Sequence, residues 1–237
     1  MNEGNLLNDS QKLWKRANSI IPGGNSLISK NPDLLLPGGW PTYYSKAKKI
    51  FIWDLLGKKY TDVSTMGVGT NILGYANTYV DRKVKYFVDS GNISTLNSPE
   101  EVQLAEKLLD LHPGMEMAKF ARTGGEANAI AIRIARAAQN EKKHKIAICG
   151  YHGWHDWYLS SNLENTKNLN NHLITSLKPN GVPSFLKNTC YPFEYGEYEK
   201  FKKIISNKSI GIIMMEVSRN KSLNTKFIKY VRNIAKK

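Results

Sequence analysis

The chain has 237 residues, 41% hydrophobic and 23% charged, enough to build a sizeable core as one large domain or one plus a small appendage. That balance excludes a disordered chain, and the longest apolar stretch, residues 210–215 interrupted by Gly211, is far too short to span a bilayer. The formal charge of +14 raises the question of polyanions, but the lysines are dispersed in pieces such as Lys142-Lys143, Lys202-Lys203 and Lys236-Lys237, without a helix-turn-helix or RNA-binding signature. Solvated helix faces account for them, so neither nucleic acid nor membrane is expected as a partner.

Residues 1–16 carry no apolar run, so no export segment is expected. Cys149 and Cys190 have neither metal spacing nor the density of a secreted scaffold, and read as reduced thiols of a cytoplasmic protein.

Asp9 or Ser10 can cap a first helix whose apolar positions Leu13, Ala17, Ile20 and Ile21 share a face, and Pro22-Gly23-Gly24 ends it. Residues 49–54 and 59–63 flank a turn at Gly57 and read as a hairpin. Residues 65–74 form a glycine-rich loop. Helices are expected over 78–89 and from Ser98, where Pro99 fits the first turn and Glu101 would complete a capping box. From Met117 the rhythm becomes a short strand, a glycine turn, a helix over 126–139 and a strand over 145–149. A helix over 197–205, a buried strand over 210–216 and a helix over 223–235 follow. Strands alternating with helices imply an α/β fold with a mostly parallel sheet, whose ligands bind at the carboxyl ends of the strands. The loops after Ala121, Cys149 and Met215 all fall at those ends.

Gly124 and Gly125 open a helix, where bare N–H groups can hold an anion and Thr123 can add a hydroxyl; the alternative is a turn that uses glycine for geometry alone. Glu126 complements the helix dipole. Tyr151 and His152 follow a strand end before Gly153 and can lay a ring against a flat ligand, or else pack as core. Trp154, Trp157 and Tyr158 read as core. His152 and His155 share zinc-like H-x-x-H spacing, but no third ligand supports a metal. Glu216 ends a buried strand, where a carboxylate needs a partner or a ligand unless the chain turns into solvent. Asn220 can donate to a ring oxygen or form a turn.

In order along the chain, Ile21-Pro-Gly-Gly24, Ile52-Trp-Asp54, Gly57, Tyr60-Thr-Asp62, Leu73-Gly-Tyr75, Pro99-Glu-Glu101, Thr123-Gly-Gly-Glu-Ala127, Tyr151-His-Gly153 and Met215-Glu216 resemble class III pyridoxal-phosphate aminotransferases, particularly the glutamate-1-semialdehyde aminomutase branch. The resemblance implies a fold-type I large domain over 76–237, incomplete here, preceded by a helix and hairpin segment over 1–75. It implies pyridoxal 5'-phosphate, with Thr123, Gly124 and Gly125 at its phosphate, Tyr151 stacked on its ring with His152 beside it, Glu216 bordering the ring and Asn220 near its phenolic oxygen. Two departures stand out: Gly125 where many relatives carry threonine, and Val217 where proline is usual.

A small amino or keto substrate and a homodimer are likewise implied. Where aminomutases carry an arginine for the substrate carboxylate, residues 25–30 offer only Lys30. The family's chemistry needs a Schiff-base lysine and an aspartate at the pyridine nitrogen, and neither aligns within these 237 residues, so no catalytic residue is assigned. The expected function is amino-group transfer, with this chain an N-terminal portion silent alone. The alternatives are an aminomutase divided in its gene and a non-enzymatic basic binding module on the same scaffold.

Overall fold

Gly57, at φ +79°, turns the chain back on itself, and the aromatic and β-branched residues on either side pair antiparallel. The computed structural model describes residues 3–139, 143–207, 209–218 and 222–236. The chain divides into two units, Met1–Asn97 and Ser98–Lys237.

The first unit begins with α1 (Glu3–Ile20) and contains an antiparallel sheet of β1 (Tyr44–Lys48), β2 (Phe51–Asp54) and β3 (Lys59–Thr61), in that spatial order. β2 and β3 are the expected hairpin, and β1 adds a strand whose local pattern does not mark it. The α1 helix starts earlier than a cap at Asp9 or Ser10 implies, because no proline interrupts residues 3–20, Gly4 falls in the first turn, and a cap-type residue can sit in an interior turn. Of its expected apolar face Ala17 is buried, whereas Ile20 stands out in solvent.

Asp54 is buried beside the turn and accepts from the Leu56 and Lys58 N–H groups and the Tyr60 hydroxyl, each at 2.9 Å, so its charge is met by three donors. α2 (Thr78–Asp89) has its expected bounds, and the Asn77 side chain caps it by accepting from the Tyr79 and Val80 N–H groups.

The second unit opens with α3 (Pro99–Leu111). The expected capping box is not formed there. The Ser98 hydroxyl instead donates to the Glu100 carboxylate, which lies closer along the chain than Glu101 and accepts that hydrogen bond. α4 (Gly124–Ala138), β4 (Lys145–Cys149), α5 (Asp156–Leu159), β5 (Cys190–Pro192), α6 (Tyr198–Asn207), β6 (Ile210–Met215) and α7 (Thr225–Ala235) follow. The short strand expected from Met117 to Ala121 is absent. That segment pairs with neither edge of the sheet, and without a ladder partner an extended segment is not a strand.

The sheet has the order β5-β4-β6, with β4 parallel to both neighbours. Alternate side chains of β4 serve opposite faces. Ile146 and Ile148 join Ile132, Trp157, Tyr158 and Leu169 on one side, and Ala147 and Cys149 join Phe193, Phe201, Phe227 and Val231 on the other. Both faces are therefore covered, which explains why β4 is apolar from Ile146 to Cys149. Cys149 and Cys190 are both buried and in no disulfide, and burial pushes the Cys190 thiol up to about 12. Among the described residues no helix is long and apolar enough to cross a membrane.

Candidate functional site

The parallel pairing of β4 with β6 sets Cys149 opposite Met215, so the loops that follow leave the sheet side by side. The Glu216 N–H continues the ladder by donating to the Cys149 carbonyl at 3.0 Å. Its carboxylate lies over Gly150: a Cβ built there, at φ +99°, would stand 2.5 Å from Glu216 Oε2. The Tyr158 hydroxyl holds the same turn from the other side, donating to the Gly150 carbonyl at 3.1 Å.

Thr123 caps α4 through a complete capping box. Its hydroxyl oxygen accepts from the Glu126 N–H at 3.1 Å, and the Glu126 carboxylate accepts from the N–H groups of Arg122 and Thr123 at 2.9 and 3.3 Å. Glu126 thus has a specific structural task beyond complementing the dipole. The Gly124 and Gly125 N–H groups are left without an acceptor among the described residues, at the positive end of a 15-residue helix. A Cβ on Gly124 would meet nothing within 4 Å, so this side of the turn is open.

Gly125 is glycine for a different reason. A Cβ there would lie 2.7 Å from Cε1 and 2.9 Å from Nδ1 of His155, and a Cβ on Gly153, at φ +102°, would lie 3.2 Å from the Gly125 Cα. The start of α4 and the loop after β4 therefore touch backbone to backbone. Asn128, one turn into α4, fastens the same contact by donating to the His152 carbonyl at 3.2 Å.

Tyr151 is half-buried and meets Tyr158 edge-on, with ring centroids 5.9 Å apart. His152 is buried; its Nε2 carries the proton and donates to the Cys149 carbonyl at 3.0 Å, while the ring packs against Trp157 and Tyr158. Trp157 and Tyr158 are core, as expected, but Trp154 is 71% exposed and stacks on His155 at 4.7 Å. The structure thus gathers Thr123, Gly124, Gly125, Tyr151, His152 and Glu216 at the carboxyl ends of β4 and β6, and Asn220 lies outside the described residues. Sequence reasoning missed Gly150 and Asn128, and weighed His155 only for its zinc-like spacing. Asn128 had a usable signal: it stands four residues after Gly124 on the same helix face.

Behind the site, the Tyr158 hydroxyl also meets His172 Nδ1 at 3.3 Å. Burial lowers the His172 pKa below its ordinary 6.5, opposed by a hydrogen bond to the Phe193 backbone, aided by the charges of His152 and Lys200, and opposed by that of Glu194. A depressed pKa favours the fold above the unfolded value, and that stability is lost as pH falls from 6.5 through the folded value. Urea midpoints should therefore drop between pH 7.5 and pH 5.5, and His172→Gln should flatten part of that fall. An unaltered slope in the variant would count against this assignment.

With that geometry in place, the family model for Aminotransferase class-III matches residues 38–208. The chain belongs to the class III aminotransferase family. It is 31% identical over 212 residues to 3-aminobutyryl-CoA aminotransferase of Cloacimonas acidaminovorans, covering 88% of this chain and 46% of that one. It is 29% identical over 207 residues to glutamate-1-semialdehyde 2,1-aminomutase of Sulfurisphaera tokodaii, covering 87% and 47%. A solved transaminase with PLP bound superposes with a TM-score of 0.79 at 20% identity, covering 97% of this chain and 53% of that one. The fold is thus that of the fold-type I transferases, as a partial domain, and this class III chain spans about half the length of the curated relatives it matches.

Proposed function

We propose that this chain forms the phosphate and ring-edge side of a pyridoxal 5'-phosphate site in an enzyme that transfers amino groups between, or within, small amino and keto compounds. The observation that carries this reading is the unclaimed pair of N–H groups at Gly124 and Gly125, open on the Gly124 side, set against the loop that bears Tyr151 and beside the strand end that bears Glu216. These residues fit the cofactor. A dianionic phosphate matches bare N–H donors at a helix start, and an aromatic ring at the neighbouring strand end matches a flat heterocycle.

When bound, pyridoxal phosphate acts as the electron sink for the substrate amine, and the protein supplies orientation and charge. Thr123 fixes the first turn of α4 so that the Gly124 and Gly125 N–H groups point together. Tyr151 covers a face of the ring, and His152 keeps the Tyr151 backbone in place through its bond to the Cys149 carbonyl. Glu216 sets a carboxylate at the ring's edge. Asn220 is assigned to the phenolic oxygen by resemblance alone.

Residues 25–30, the segment in which the aminomutases carry an arginine, offer only Lys30, and lysine meets a carboxylate as a point charge without the bidentate fork, which favours a transaminase over a strict semialdehyde aminomutase. A homodimer in the reduced cytoplasm fits two further features. Val80, Val84 and Val88 form an exposed apolar stripe along α2, and both cysteines remain thiols.

Titrating the purified chain with pyridoxal phosphate, followed by cofactor absorbance, tests the reading. Tyr151→Ala should weaken binding about 3- to 10-fold, the worth of one aromatic contact. Unchanged affinity would reject the stacking role.

A further inference from the structure

The imidazole of His155 fills the space in which a side chain at residue 125 would lie, with its Cε1–Nδ1 edge toward Gly125. That nitrogen is buried and has no hydrogen-bond partner, whereas a buried polar atom ordinarily has one. Trp154 lies nearly parallel to the ring, 23° from it, and fixes its plane. Glu126, the acidic residue of the first turn, does not compete for the imidazole, because its carboxylate is engaged by the Arg122 and Thr123 N–H groups. An orphaned ring nitrogen and two unclaimed N–H groups thus meet at the start of α4, and a single anion would satisfy all three.

We propose that His155 is a phosphate-binding residue of this chain, its imidazole donating to the same phosphoryl group that the Gly124 and Gly125 N–H groups hold. This rests on the reading that the cofactor phosphate sits at the start of α4. Gly125 is then the residue whose missing side chain admits the imidazole, and the pair works as a unit: the backbone comes from residue 125 and the side-chain donor from residue 155.

The test compares dissociation constants of the full chain for pyridoxal 5'-phosphate and for pyridoxal, which lacks the phosphate. The unmodified chain should prefer the phosphorylated form. His155→Ala should cut that preference about 10-fold without changing pyridoxal affinity, and His155→Asn, whose amide nitrogen stands near the place of Nδ1, should restore part of it. Preference retained in full by His155→Ala overturns the proposal and leaves the phosphate reading of α4 standing. Equal affinity for the two compounds, or binding of neither, overturns that reading and the proposal with it. Independently of any variant, the His155 ring resonances should shift when inorganic phosphate is added, and their constancy would also overturn the proposal.

Discussion

Phe227→Ala should cost about 3–5 kcal/mol of stability, the usual range for emptying a fully enclosed phenylalanine site. Phe227 is 0% exposed on α7 and is ringed by aromatics: Phe193, Tyr195, Tyr198 and Phe201 have centroids 4.9–6.4 Å away. These neighbours sit on α6 and on the segment following β5, so one truncation loosens the whole layer on that face of the sheet. The surrounding rings are too rigid to collapse into the void, which places the expected loss toward the upper part of the range. Urea denaturation monitored by circular dichroism measures it. A loss below about 1 kcal/mol would show that the α7 layer does not stabilise the sheet.

Gly150→Ala should lose about 1–3 kcal/mol from backbone strain alone, since φ +99° is a region that side chains rarely enter. A second effect is separable from the first. The new methyl group would lie 2.5–2.7 Å from Oε2, Cδ and Cγ of Glu216, so the carboxylate must swing away from the turn. Adding Glu216→Ala should relieve that crowding while leaving the strain. The double variant should then be less destabilised than the two single costs added together, and strict additivity would mean that the carboxylate does not lie over Gly150.

Where the chain carries its own punctuation, the fold was legible. Asn77 before a helix and a β-branched run bounded by Lys145 and Cys149 gave α2 and β4 their observed limits, because capping and burial are local signals. The three-residue β5 and the segment from Met117 to Ala121 show the opposite case. Cys190-Tyr-Pro192 has no strand-like length yet pairs with β4, whereas the longer segment pairs with no strand among the described residues, since a strand exists only through a partner remote in sequence. The site divides the same way. The glycine turn and the Tyr151-His152-Gly153 loop were visible as motifs. The contact between Gly125 and His155 spans thirty positions, and local spacing offered only a misleading zinc-like pair.

The two thiols of the parallel sheet report on its opposite faces. Cys190 belongs to the layer that carries α4, and Cys149 to the layer that carries α6 and α7. Both thiols are buried, so alkylation at neutral pH proceeds only through molecules that have opened. Mass spectrometry of singly and doubly tagged chains would therefore time the release of each layer separately and show whether the two faces of the sheet come apart together or in succession.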